Sequence, residues 1–177
     1  MLKDENVNKT MKTTRKIIFC ALLSSLTCVA TMLIKIPSPL NGYLNLGDAV
    51  VLLSGFLLPM PYAFAAAALG SGLADVFSGY ALYAPATFLI KGLMAVLLRA
   101  VYLFFKKKGK RLGFLLGAVL AELLMVVGYL LFESVLYGFV PSLVNVIPNG
   151  LQGVAGILVG FLLVKLFEKQ RIAHYFE

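Results

Sequence analysis

Long apolar stretches, separated by short polar or glycine- and proline-containing segments, fill the chain from Ile17 to Phe167. Most of them are about 18 to 25 residues long, and a helix needs about 20 apolar residues to cross roughly 30 Å of hydrocarbon. The separating segments, such as residues 37–45, contain the prolines and glycines that end helices. The pattern predicts helices at about residues 16–36, 46–58, 62–78, 82–105, 112–137 and 145–167. We therefore expect an all-α membrane protein, a bundle of six transmembrane helices.

The second predicted helix is short for a full crossing, so we expect it to be tilted, broken or shielded by its neighbours. The composition agrees with a membrane protein, since 60% of the 177 residues are hydrophobic, 14% are charged and the mean hydropathy is +0.92. The first apolar segment follows a basic leader, as in a signal peptide. It is long and has no clear small-residue cleavage site, which favours a retained helix.

The basic residues predict how the bundle is oriented. Of the 16 lysines and arginines, 13 lie in three patches at residues 3–16, 106–111 and 165–171. Cytoplasmic segments carry such an excess, and six crossings place both termini on one side, so we expect the N- and C-termini in the cytoplasm. Residues 1–15 and 169–177 are then cytoplasmic tails around a six-helix transmembrane domain at 16–168. The net charge of +8 is explained by this orientation, and no nucleic-acid partner is expected.

Several kinds of chemistry find no support in the sequence. It has no GxxxxGK[ST] motif, so energy for transport would come from an ion gradient or a partner protein. Cys20 and Cys28 lie on one predicted helix, where they can form neither a disulfide framework nor a four-ligand metal site. His174 is the single histidine, and no HExxH or GxSxG motif occurs. We expect no enzyme activity, no cofactor and no metal.

Ionisable residues inside apolar spans are costly and therefore indicate a function or a structural pairing. They are Asp48, Asp75, Lys91, Arg99, Glu122 and Glu133. Arg99 is close enough to the cytoplasmic end of its helix to reach the headgroups, and Asp48 can cap the second helix. Lys91 lies roughly 12 Å below the outer helix end, with Asp75 and Glu122 as expected partners. Such a buried pair either holds helices together or binds a ligand.

Polar residues at helical spacing predict a binding pocket. The stripes lie on the last three predicted helices and consist of Tyr83, Thr87 and Lys91, then Glu122, Tyr129 and Glu133, then Asn145, Asn149 and Gln152. With Asp75 they can converge in the outer half of the bundle, where amides, tyrosines, one cation and carboxylates suit a small, polar, ring-containing molecule. The link at 37–45 is either an ordinary loop or a lid that contributes Tyr43 and Asn45.

Small residues form ridges that allow close helix packing in lipid. The first predicted helix carries Ala21, Ser24, Ser25 and Cys28, and the third carries Ala66, Gly70, Ala74 and Ser78. We expect the second ridge to pack inside the bundle. The first either packs there too or contacts another protein.

Residues 45–95 contain NLGDAVVLLSGFLLP and GSGLADVFSGYALYAPATFLIKGLMA. This region resembles the S components of energy-coupling factor (ECF) vitamin transporters, in the branch associated with riboflavin, pyridoxine and hydroxymethylpyrimidine. The resemblance implies a vitamin pocket near the outer face, formed by helices 4 to 6 and the link after helix 1. It also implies docking on a membrane T component coupled to two ATPases, through an AxxxA ridge on helix 1. Here that ridge reads Ala21 to Ser25, with serine in place of the second alanine.

Three functional hypotheses follow for a multi-pass protein of a prokaryotic plasma membrane. The first is the substrate-binding subunit of an ECF-type importer, for vitamin B6 or hydroxymethylpyrimidine, with riboflavin as the alternative. The second is a stand-alone transporter driven by protons through Asp75, Lys91 and Glu122. The third is an intramembrane enzyme or a structural assembly factor.

Overall fold

The computed structural model describes residues 2–40 and 42–169, with side chains from Thr13 onward. The helices are α1 (Leu2–Leu33), α2 (Gly47–Leu57), α3 (Met60–Phe77), α4 (Ala84–Phe105), α5 (Lys110–Tyr137), the short α6 (Phe139–Ser142) and α7 (Val146–Lys169). One 3₁₀ turn, Leu143–Asn145, joins α6 to α7 and makes them one spanning segment. The predicted all-α bundle of six membrane helices is confirmed, whereas its orientation in the membrane stays a prediction.

Five segments of the described chain are long and apolar enough to cross a membrane. They are Thr13–Leu33, Met60–Phe77, Ala84–Phe105, Lys110–Tyr137 and Phe139–Lys169. Large apolar side chains such as Leu22, Leu131 and Leu158 are exposed on their outer surfaces. In water this much exposed apolar surface would cause association, whereas in a bilayer these side chains contact lipid.

Helix α2 is the centre of the bundle. All of its 11 residues are buried, and it contacts α1, α3, α4, α5 and α7. Of the three alternatives for this short helix, shielding by its neighbours is the one observed. Because protein surrounds it, α2 does not need the length of a lipid-exposed span.

Two boundaries differ from the predictions. Helix α1 begins at Leu2 rather than near residue 16, because residues 2–33 contain no proline or glycine that would stop the helix. Helix α3 begins at Met60, since Pro61 is compatible with the first turn of a helix and did not end the preceding turn as expected. The predicted C-terminal tail beyond Lys169, with His174, lies outside the described residues.

The link between α1 and α2 forms a small antiparallel hairpin that the sequence did not predict. Strand β1 (Ile36–Pro37) pairs with β2 (Tyr43–Leu44), with Ile36 opposite Leu44 and Pro37 opposite Tyr43. Two-residue strands are too short to show the alternation of apolar and polar residues that identifies a strand. We call residues 36–40 and 42–44 the hairpin below.

The two ends of the bundle are built differently. At the end near residues 106–111, aromatic side chains fill the interior, with the Phe56 ring centroid 5.0 Å from that of Tyr102 and 5.9 Å from that of Phe114. All three side chains are buried. At the other end, below the hairpin, the interior is polar and contains a cavity.

Candidate binding site

The cavity lies where the hairpin, the end of α3, the start of α4, the end of α5 and the start of α7 meet. Its empty space is about 500 Å³, including the part that opens at the surface. Its lining residues are Thr31, Ser38, Gly42, Tyr43, Asn45, Ser71, Asp75, Tyr80, Tyr83, Thr87, Lys91, Tyr129, Glu133, Asn149 and Gln152. The cavity is therefore at the end opposite the basic loop 106–111, which joins the far ends of α4 and α5.

The structure brings most of the predicted pocket residues together. Those that line the cavity are Tyr43, Asn45, Asp75, Tyr83, Thr87, Lys91, Tyr129, Glu133, Asn149 and Gln152. The other two, Glu122 and Asn145, lie behind the wall. The Asn145 amide nitrogen donates a 2.8 Å hydrogen bond to Glu133 Oε1, so Asn145 positions a lining carboxylate.

Lys91 forms a buried ion pair with Asp48 Oδ1. This corrects two expectations, because Lys91 was predicted to pair with Asp75 or Glu122 and Asp48 was predicted to cap α2. The N-cap residue of α2 is Leu46, and the side chain that accepts a hydrogen bond from the first backbone N–H of the helix, that of Gly47, is Asn45 (Oδ1, 2.9 Å) rather than Asp48. The side chain of Asp48 is instead 0% exposed and turns toward α4 and α7.

Gln152 connects this ion pair to the hairpin side of the cavity. Its Nε2 atom donates a 2.6 Å hydrogen bond to Asp48 Oδ2. Its Oε1 atom accepts a 2.9 Å bond from the backbone N–H of Asn45. Both Asp48 oxygens are thus satisfied, as a buried charge requires, and Lys91 is held in a fixed position at the cavity wall.

Glu122 occupies a narrow space against α7 and is buried. A Cβ atom at Gly156 would lie 2.8 Å from Glu122 Oε1, and one at Gly153 would lie 3.1 Å from Glu122 Cβ. The two glycines therefore make room for this carboxyl group. Neither of its oxygens has a hydrogen-bond partner among the described residues.

The hairpin covers the cavity and is held there by tyrosines. The Tyr43 hydroxyl donates a 2.7 Å hydrogen bond to Asp75 Oδ1, and the Tyr83 hydroxyl donates one of 2.7 Å to the Leu40 carbonyl. The Tyr43 and Tyr80 rings lie 4.7 Å apart. Burial, followed by the charge of Asp75, raises the pKa of Tyr43 above its usual value, so its hydroxyl keeps its proton. Opening of this hairpin as a lid stays a prediction.

Tyr129 forms the wall between Thr87 and Lys91. Its hydroxyl and Thr87 Oγ1 are 2.9 Å apart and share a hydrogen bond. Its ring centroid lies 5.5 Å from Lys91 Nζ, within the range of a cation–π contact. The stripe on α4 therefore meets the stripe on α5, as their spacing predicts.

Sequence reasoning missed some of the residues at the site. They are Asp48 as a partner of Lys91, and the lining residues Thr31, Ser38, Gly42, Ser71 and Tyr80. Ser71 could have been found, because it precedes Asp75 by one helical turn. Ser38, Gly42 and Tyr80 are in connecting segments, where no periodicity indicates the direction of a side chain.

The small-residue ridge of α1 is divided between two directions. Ser24 packs toward α3, since a Cβ atom at Gly70 would lie 2.4 Å from the Ser24 carbonyl oxygen. Ala21 and Ser25 are exposed on the outer surface, and Cys28 is half-buried. Ser24 therefore packs inside the bundle, whereas contact of the exposed ridge residues with another protein stays a prediction.

We expected Arg99 to extend to the headgroups, but its side chain makes a contact inside the bundle. Its Nη1 atom donates a 2.7 Å hydrogen bond to the Phe56 carbonyl, near the end of α2. A cation is favourable at the carbonyl end of a helix. Arg99 thus stabilises the end of the buried helix.

Comparisons with known proteins agree on the family. Residues 11–169 match the sequence model of a family described as the ECF-type riboflavin transporter, S component. A Pyrococcus woesei protein, described as an uncharacterized protein in a gap 3′ region, is 38% identical over 145 residues, which cover 80% of this chain and 94% of the relative.

A solved structure has the same fold. It is described as the S component of a bacterial ECF transporter, and it matches with a TM-score of 0.71 and 22% identity over 89% of this chain and 97% of that one. The family match confirms the resemblance in residues 45–95. The chain therefore belongs to the ECF-type riboflavin transporter S component family, whose members are multi-pass cell-membrane proteins that bind substrate for transport and are not enzymes.

Proposed function

We propose that the cavity below the hairpin binds a small heteroaromatic vitamin or vitamin precursor. The observation that carries this proposal is that tyrosine rings, amide groups, Lys91 and the carboxyl groups of Asp75 and Glu133 all face one cavity. Rings pack against tyrosine faces, and the polar groups fix the orientation of ring substituents. Vitamin B6 compounds and hydroxymethylpyrimidine are favoured, since carboxylates suit amino groups and ring nitrogens. Riboflavin is the alternative, favoured by the description of the family.

The proposal includes an orientation with the cavity toward the cell exterior. Basic residues lie at the opposite end of the membrane-spanning segments from the cavity: the loop 106–111, Arg15 and Lys16 on α1, and Lys165 and Lys169 on α7. Segments rich in lysine and arginine stay in the cytoplasm. The hairpin then faces the side from which a nutrient arrives.

The proposed partners are a membrane T component and two ATPase subunits, because the chain contains no nucleotide-binding motif of its own. The exposed small residues Ala21 and Ser25 on α1 offer a surface on which another helix could pack closely. The large apolar side chains beside them, such as Leu22 and Leu26, are also exposed. This face of α1 is the proposed docking surface.

A stand-alone proton-coupled transporter is the second candidate. It is favoured by Glu122, a buried carboxyl group in a membrane span without a hydrogen-bond partner among the described residues. Uptake by the purified chain alone in liposomes, driven by a pH gradient and lost in Glu122→Gln, would support it. Uptake that requires the T component and the ATPases would exclude it.

The test of the proposed function combines ligand identification with calorimetry. Mass spectrometry should find a vitamin or precursor that copurifies with the protein in detergent, and titration should give saturable binding. Lys91→Ala and Asn149→Ala should weaken binding, whereas Lys107→Ala, which is exposed at the other end of α4, should leave it unchanged. Absence of binding to pyridoxine, pyridoxamine, hydroxymethylpyrimidine and riboflavin would refute the proposal.

A further inference from the structure

Several buried oxygens at the cavity wall have no hydrogen-bond partner among the described residues. They are Asp75 Oδ2, Glu133 Oε2 and Thr31 Oγ1. Each of these residues is at least nine-tenths buried. Buried polar atoms are normally satisfied, so atoms left without a partner at a cavity wall indicate groups that a ligand would satisfy.

The charges around the cavity show the same imbalance. The buried ionisable groups here are Asp48, Asp75, Glu122, Glu133 and Lys91. Lys91 forms its ion pair with Asp48, and none of the other carboxyl groups is within ion-pair distance of it. Lys35, near the hairpin, is exposed and donates a 3.0 Å bond to Ser78. The remaining carboxyl groups have no cationic partner among the described residues.

Asp75 and Glu133 each have one oxygen satisfied and one free. Tyr43 donates to Asp75 Oδ1, and Asn145 donates to Glu133 Oε1 at 2.8 Å. These neutral donors fix the two carboxyl groups in position, and Asp75 Oδ2 and Glu133 Oε2 have no donor in the part of the chain that the structure describes. A buried carboxylate without a counter-charge is costly, and a bound cation removes that cost.

The aromatic wall also favours a cation. The cavity is lined by Tyr43, Tyr80, Tyr83 and Tyr129. The face of a tyrosine ring carries negative partial charge and attracts ammonium and similar groups. Lys91, 5.5 Å from the Tyr129 ring centroid, already makes such a contact inside the site.

We infer that the preferred ligand of this cavity is a cation, a small heteroaromatic compound with a protonated amino group whose N–H groups bind Asp75 and Glu133. The inference rests on the proposed function of the cavity as the substrate site, and it adds the charge of the substrate. It favours an amine-bearing compound over a neutral one of the same shape.

Pyridoxamine and pyridoxine are suitable probes, because they share one ring and differ by an aminomethyl group in place of a hydroxymethyl group. At neutral pH the amine carries a positive charge. Hydrogen bonds between charged groups are stronger than those between neutral groups, so calorimetry at pH 7 should show pyridoxamine binding at least about 10-fold more tightly. Equal affinities, or tighter binding of pyridoxine, would overturn the inference and leave the proposed function intact.

The variants Asp75→Asn and Glu133→Gln keep the shape of the site and remove one charge each. Each should weaken pyridoxamine binding by about 10-fold or more, while pyridoxine affinity should change much less. Retained pyridoxine binding shows that the variant is folded. If both variants bind pyridoxamine as the unmodified protein does, the two carboxyl groups do not recognise a cation and the inference is wrong. If the unmodified protein binds neither probe nor any other vitamin, the proposed function fails and the inference fails with it.

Discussion

Replacement of Lys91 by methionine should destabilise the protein strongly even when no ligand is present. Methionine fills similar space, but the Asp48 carboxylate, which is 0% exposed, loses its counter-charge. Removal of one partner of a buried ion pair costs about 3–5 kcal/mol. In a protein of this size 1 kcal/mol corresponds to about 2–4 °C, so Lys91→Met should lower the melting temperature by about 6 to 20 °C.

A second substitution separates the charge effect from the packing effect. Asp48→Asn removes the uncompensated charge and keeps a side-chain oxygen that can accept the hydrogen bond from Gln152 Nε2. The double variant Lys91→Met with Asp48→Asn should therefore recover at least half of the lost melting temperature, because the two residues interact directly.

Thermal unfolding of ligand-free protein in detergent, followed by the loss of the monodisperse peak in size-exclusion chromatography, measures both effects. Bound ligand must be removed first, since it would stabilise the folded state. Lys107→Met, at an exposed position at the other end of α4, is the matched control. If Lys91→Met melts within about 2 °C of this control, which corresponds to less than about 1 kcal/mol, the ion pair does not stabilise the bundle and the reasoning is wrong.

Three further predictions concern the packing of helices. Gly156→Ala should destabilise the protein by about 1–3 kcal/mol, since the added Cβ would lie 2.8 Å from Glu122 Oε1. The control Gly150→Ala, where the added Cβ has no atom within 4 Å, should not lower stability. Equal melting temperatures of the two variants would contradict the prediction. Arg99→Ala should lower stability by about 1.5–3 kcal/mol, because a charged donor to an α2 carbonyl is lost, and an unchanged melting temperature would refute that role. Ser25→Leu should abolish copurification with a coexpressed T component while ligand binding in calorimetry stays unchanged, and intact copurification would exclude this face of α1 as the docking surface.

The helices could be predicted from the sequence because the membrane requires long apolar runs with satisfied backbone groups. The same rule explains the weak points of the prediction. Helix α2 is enclosed by protein, so its length does not follow from the thickness of the bilayer. The polar start of α1 is helical because nothing in its sequence stops the helix, and an apolar pattern cannot reveal that.

The candidate site could be predicted only in part. Helical spacing showed which residues of α4, α5 and α7 share a face, and these stripes do meet at the cavity. Spacing does not give depth: Glu122 is 11 residues, or about 16 Å, from Glu133 along α5 and lies behind the cavity wall. The pairing of Lys91 with Asp48 joins residues 43 positions apart, so it depends on how α2 packs against α4 rather than on any local pattern.

The aromatic cluster of Phe56, Tyr102 and Phe114 at the far end of the bundle has a consequence for how cargo is moved. Within the described residues these rings are buried and close together, and the cavity lining does not extend to them. If the cavity is the binding site, as proposed, a molecule that enters beneath the hairpin finds no continuous path past these rings in the described structure. Such a subunit would bind its ligand without forming a channel. Delivery across the bilayer would then require the ligand-bound protein to change its orientation relative to the two faces of the membrane.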